Sequence, residues 1–183
     1  MILQLHDGYY ISEFADSDRD TIVANLQDRS VYEWTLQIPH PYTAVHADEW
    51  LATLRQKKEA DGQVTNWAIR NAQGTQIGGI GFHPAPAGQT HAAELGYWIT
   101  KAFWGRGIMT AAVNAISLHA FAQPGIVRIT AGIFAGNAGS ARVLEKCGFH
   151  IEAPLMRRCY RKDGQFIDAV LYARVCDAEP ATS

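Results

Sequence analysis

Trp104-Gly105-Arg106-Gly107-Ile108-Met109-Thr110 joins two unlike stretches of chain. Before it runs Glu94-Leu95-Gly96-Tyr97-Trp98-Ile99, which reads as a strand, and after it comes a long segment with an apolar stripe. Strand, glycine turn and helix start, in that order, aim backbone N–H groups and the positive end of a helix dipole at one spot. Such a spot holds phosphate or diphosphate without a cluster of basic side chains. A Cβ at Gly105 or Gly107 would keep a phosphate away from those amides. Arg106 adds a guanidinium that can reach the same anion. The plainer alternative is a turn that merely connects strand to helix.

Other glycine-based sites fit less well. A dinucleotide fingerprint needs a third glycine where Thr110 stands, and an acidic residue further on for the ribose. Gly78-Gly79-Ile80-Gly81 lies inside a strand pattern, where close backbone packing or a bulge explains it. No Gly-Lys-Ser/Thr occurs, which excludes a P-loop.

Around the turn the pattern is that of an α/β protein. Strands are expected at residues 8–14, 63–71, 76–83, 91–100, 126–134, 149–161 and 165–176, seven in all. Ala72-Gln73-Gly74 joins the second strand to the third, and Asp163-Gly164, a strong hairpin dipeptide, joins the last two. Pro84, Pro86 and Gly88 mark a loop. Residues 126–134 are apolar throughout, as for a strand buried on both faces if parallel. Four helices are expected: residues 18–26, one capped by Thr43 and stopped by Gly62, 107–122, and 138–147 stopped by Gly148. On the third, Ile108, Ala112, Ala115, Ile116 and His119 are expected to share the buried face, with His119 a satisfied core histidine.

Composition bounds the function. The 183 residues suit one domain, taken as residues 1–177, with a frayed tail at 178–183. A net charge of -2 gives no reason to expect nucleic acid or an anionic membrane as partner. No apolar run reaches the ~20 residues of a bilayer span, and the start lacks the features of a signal peptide. Cys147, Cys159 and Cys176 are odd in number and widely spaced, which suits reduced thiols in a cytoplasmic protein. The histidines show no metal spacing, so no metal is expected.

Five motifs in register resemble the GNAT superfamily of acyl-CoA-dependent N-acetyltransferases. They are the strand and glycine turn above, Asn137-Ala138-Gly139-Ser140, Leu144-Glu145-Lys146-Cys147-Gly148-Phe149, Ile38-Pro39-His40-Pro41-Tyr42-Thr43, and the late run of Asp163-Gly164, Asp168, Leu171 and Tyr172. The likeness is greatest to the branch that acetylates N-terminal amines of ribosomal proteins, the RimJ/RimL-like enzymes. It implies a mixed, largely antiparallel seven-stranded sheet with a central splay, flanked by about four helices. It also implies acetyl-CoA as donor. Trp104, Gly105, Arg106, Gly107, Ile108, Met109 and Thr110 would then hold the diphosphate. Trp98, Ile99 and Thr100 would pair with the pantetheine arm like an added strand. Asn137 and Ser140 would contact the cofactor, although Asn137 also reads as an ordinary N-cap.

For the chemistry, an amine must lose a proton as it attacks a thioester, and a carboxylate is the usual means. Glu94 is the first candidate, sharing a strand face with Gly96, Trp98 and Thr100. Glu33 is the second; with Trp34 and Tyr42 it would wall the acceptor pocket. Ser140 would donate a proton to the departing thiolate. Two departures stand out. Trp104 and Met109 replace the usual ends of the phosphate loop, and Leu144 occupies a position where many members carry a proton-donating tyrosine. The expected acceptor is a primary amine, a protein N-terminus first and a small amine second, with a non-catalytic acyl-CoA-binding module as the third reading. A homodimer is common among such proteins.

Overall fold

The computed structural model describes residues 1–84 and 88–176. The middle of the expected loop, with Pro86, and the expected tail at 178–183 lie outside them. The strands are β1 Ile2–Gln4, β2 Tyr10–Glu13, β3 Asn66–Arg70, β4 Gln76–Pro84, β5 Ala92–Ile99, β6 Arg128–Phe134, β7 His150–Lys162 and β8 Gln165–Val175. The α-helices are α1 Arg19–Leu26, α2 Arg29–Glu33, α3 Ala44–Asp61, α4 Ile108–Phe121 and α5 Ala138–Lys146. In hydrogen-bonding order the sheet runs β1-β2-β3-β4-β5-β6-β8-β7. The expected fold class is therefore the observed one, with two additions. β1, paired with β2, makes an eighth strand, and α2 a fifth helix.

The chain forms two compact units. Unit 1 comprises Met1–Gly81 and Tyr97–Ala112; unit 2 comprises Phe82–Gly96 and Val113–Ser183. In unit 1 the pairs β1–β2, β2–β3 and β3–β4 are all antiparallel. Ile22, Leu26, Val31, Tyr42, Ala47 and Leu51 form a buried cluster, with Phe14, Ile38, Trp50 and Trp98 packed against it. Asp18 and Arg70 are 5% and 9% exposed and joined by two hydrogen bonds of 2.7 Å. That bidentate geometry is what makes so buried a pair tolerable. Thr43 caps α3 through its N–H and hydroxyl on His46 Nδ1 (3.0 and 3.1 Å), and Gly62 closes it at φ 68.

In unit 2, β6 is antiparallel to β8 over seven residue pairs and parallel to β5 over only three, Ala92↔Arg128, Ala93↔Ile129 and Glu94↔Thr130. Both strands continue past that last pair. The ladder between them ends there. Burial along β6 alternates, with Ile129, Ala131 and Ile133 inside, so the strand is not buried on both faces as its apolar run suggested. α4 also sits differently from expectation. Its buried residues are Ile108, Met109, Ala112, Val113, Ile116, Ser117 and Ala120, while Ala115 and His119 are half-buried at the margin. Many small apolar residues on this helix leave its inward face poorly marked by composition alone. α5 ends as expected, with Gly148 at φ 77 and the N–H of Phe149 on Leu144 O at 3.0 Å.

Candidate active site

In unit 1, Gly105 and Gly107 both sit at φ 75. A side chain at either would be strained whatever the space around it, and a Cβ on Gly105 would meet nothing within 4 Å. The glycines are thus required by the path of the backbone, which leaves the corner open. Ile108 and Met109 are buried and anchor the first turn of α4. The first bond of that turn runs from the Ala111 N–H to Gly107 O at 3.0 Å. Ile108 and Met109 stand in the first turn, where helix geometry supplies no carbonyl four residues back, the condition for holding an anion. Arg106 stacks over Phe103, its guanidinium carbon 5.2 Å from the ring centroid. Trp104 is 45% exposed and donates from its indole to Ile99 O at 2.8 Å. These residues fit a diphosphate.

The neighbouring strand end is tied back at Thr100. Thr100 directs its N–H and its hydroxyl to Ile77 O (3.0 and 2.8 Å), and its carbonyl accepts from Phe103. Thr100 spends both its donors on its own chain, and its carbonyl keeps a second lone pair. Trp98 packs on the core cluster, its indole over Gly79. On the expected acceptor side, Glu33 and Trp34 are exposed, and Glu33 is 3.4 Å from Arg29 Nε. Tyr42 is 5% exposed and belongs to the core cluster, where burial pushes its phenol up to about 12. It packs in the core of unit 1, with little surface exposed.

In unit 2, Glu94 is half-buried at the last pair of the β5–β6 ladder. Asn137 accepts the N–H of Ser140 on its Oδ1 at 3.0 Å and so caps α5; its Nδ2 is the group it has left for a ligand. Leu144 is fully buried on α5. Cys147 is buried too, and burial pushes its thiol up, the wrong direction for a nucleophilic thiolate. Sequence reasoning passed over Tyr160, whose hydroxyl lies over Gly132 with Glu94 beside it. The signal that could have found it is a lone glycine inside a strongly apolar strand, which marks a close approach. Among the described residues, no three His, Cys, Asp or Glu side chains group as metal ligands, and no helix is long and apolar enough to cross a membrane.

Comparison with known proteins bears on the same residues. The family model described as an acetyltransferase (GNAT) domain matches residues 10–150. The probable N-acetyltransferase YjcK of Bacillus subtilis (strain 168) is 32% identical over 61% of this chain and 66% of its own length. The ribosomal-protein-serine acetyltransferase of Escherichia coli (strain K12) is 33% identical over 56% of each chain. Among solved structures, RimL, a ribosomal L7/L12 α-N-protein acetyltransferase in complex with coenzyme A, superposes with a TM-score of 0.84 at 20% identity, over 98% of this chain and all of that one. The glycine corner and the matched domain together identify the chain as a member of the GNAT family of acetyl-CoA-dependent acetyltransferases.

Proposed function

We propose that the protein acetylates the N-terminal amine of another protein, within a single domain of residues 1–177 in a reducing, cytoplasmic setting. The observation that carries this reading is the corner of two positive-φ glycines ahead of a buried helix start. The acceptor class is supported by the relative from Escherichia coli, which is named for a ribosomal-protein serine.

Acetyl-CoA brings the acyl group as an activated thioester. The chain supplies position and proton transfer. Amides from Gly105 to Met109 and the Arg106 guanidinium hold the diphosphate, with Trp104 covering them. Trp98 and Ile99 guide the pantetheine arm, and the Asn137 Nδ2 donates to it. Glu94 takes the proton that the amine sheds as it attacks the thioester carbon, and Ser140 returns a proton to the sulfur. Holding amine and thioester together supplies much of the rate. Glu33 and Trp34 line the acceptor's approach.

Thiol release from acetyl-CoA separates the readings. A peptide with a free N-terminal serine should be turned over with kcat/KM at least about tenfold above spermidine or an aminoglycoside. Preference for the small amines would reassign the acceptor. Coenzyme A binding without turnover of any amine would leave a binding module.

A further inference from the structure

The β7 strand carries a pronounced irregularity beside Glu94's end of unit 2. Met156 pairs with Ala169 while Tyr160 pairs with Ile167, so four steps along β7 match two along β8. Arg158 sits within that bulge at φ 53, and its N–H donates to Asp168 Oδ1 at 2.7 Å. A bulge re-aims the side chains that follow it. Here it delivers Tyr160.

The Tyr160 hydroxyl comes within 2.5 Å of the point that a Cβ on Gly132 would occupy, and Glu94 Oε1 within 3.9 Å of the same point. The Phe134 ring supports the phenol, centroid to centroid 5.8 Å. Burial first, then the charges of Cys159 and Glu94 and a side-chain hydrogen bond with Cys159, push the phenol's pKa up. A phenol so placed remains an O–H donor at neutral pH, and an ionised carboxylate can only accept.

We propose that Tyr160 is a positioning residue for Glu94, its phenol donating to the carboxylate and holding it at the end of the β5–β6 ladder, with Gly132 as the gap in which the two meet. The proposal rests on the reading of Glu94 as the base. Hydrogen bonds of this kind are commonly long without substrate and tighten when it binds.

Two measurements on the full-length protein test it. In the first, ring-labelled tyrosine is followed by NMR through a pH titration, with Tyr160→Phe assigning the resonance. Tyr160 should titrate above the usual tyrosine range, and Glu94→Gln should bring its midpoint down. An unchanged midpoint would overturn the contact. In the second, acetyl-CoA and a peptide with a free N-terminal serine serve as probes. Tyr160→Phe should lower kcat about tenfold, the value of one hydrogen bond, and move the acid limb of the kcat/KM profile to higher pH. KM for acetyl-CoA should stay within about twofold. Gly132→Ala, which displaces only the far end of Tyr160, should move the profile in the same direction.

A Tyr160→Phe enzyme with an unchanged kcat and profile would overturn the proposal, and a loss of about 100-fold in Glu94→Gln would then leave the base in place. Full activity in Glu94→Gln would instead remove the base reading itself. If the peptide is not a substrate, the titration decides alone.

Discussion

Gly105 and Gly107 illustrate how a binding corner is specified by backbone conformation and not by side-chain chemistry. Both lie at φ 75, with open space where a Cβ would stand at Gly105. Gly105→Ala therefore meets no clash, and costs about 1 kcal/mol because a left-handed conformation disfavours any Cβ. Calorimetry should show coenzyme A affinity falling about tenfold as that corner relaxes, with the melting temperature nearly kept. Tyr42 gives a second expectation. The native state resists ionisation of this phenol until about pH 12, whereas the unfolded chain ionises it near its ordinary value of 10.0. Its contribution to stability is complete below about pH 10 and is lost as pH climbs through 12, at about 1.4 kcal/mol per pH unit. Melting curves between pH 9 and 12 should show that slope, and Tyr42→Phe should flatten it. Neither the burial of Tyr42 nor the engagement of Thr100 was legible in the sequence, because both depend on partners far along the chain, α1 and α3 for one and Ile77 for the other.

Segments with a strong period and clear punctuation were readable: α3 between Thr43 and Gly62, α5 ahead of Gly148, and the β7–β8 hairpin at Asp163-Gly164. β1 and α2 were not, since three and five residues hold too few periods to register. The bulge in β7 was equally invisible, because register comes from pairing and not from composition. Asp168 pins that bulge through the Arg158 N–H. Asp168→Ala should cost about 1–2 kcal/mol in urea denaturation, the loss of a charge-assisted hydrogen bond. The Asp18–Arg70 pair joins β3 to the turn that starts α1, and here removing one partner leaves a buried charge alone. Asp18→Ala should cost about 3–5 kcal/mol, visible as a lower urea midpoint, while replacing both partners by apolar residues should cost far less.

A protein that binds its donor in the native state alone gains stability by mass action. Coenzyme A at a hundred times its Kd should add about 2.7 kcal/mol and raise the melting temperature by about 5–10 °C. No shift at that concentration would remove the diphosphate reading. Gly105→Ala should show the same rise only at correspondingly higher ligand. The family and the order of elements were readable because five short motifs recur in register over most of the chain, with residues 10–150 matched as one domain. The acceptor was not, because the residues proposed for it, Glu33 and Trp34, are exposed and generic in chemistry. The three-residue ladder between β5 and β6 carries one further consequence. Past Thr130, β6 stays paired with β8 as far as Phe134, while its ladder to β5 has ended. A strand edge left without a partner is a template for an extended segment, including one from a neighbouring copy. Aggregation on storage should therefore slow when coenzyme A is added, which light scattering with and without it would show.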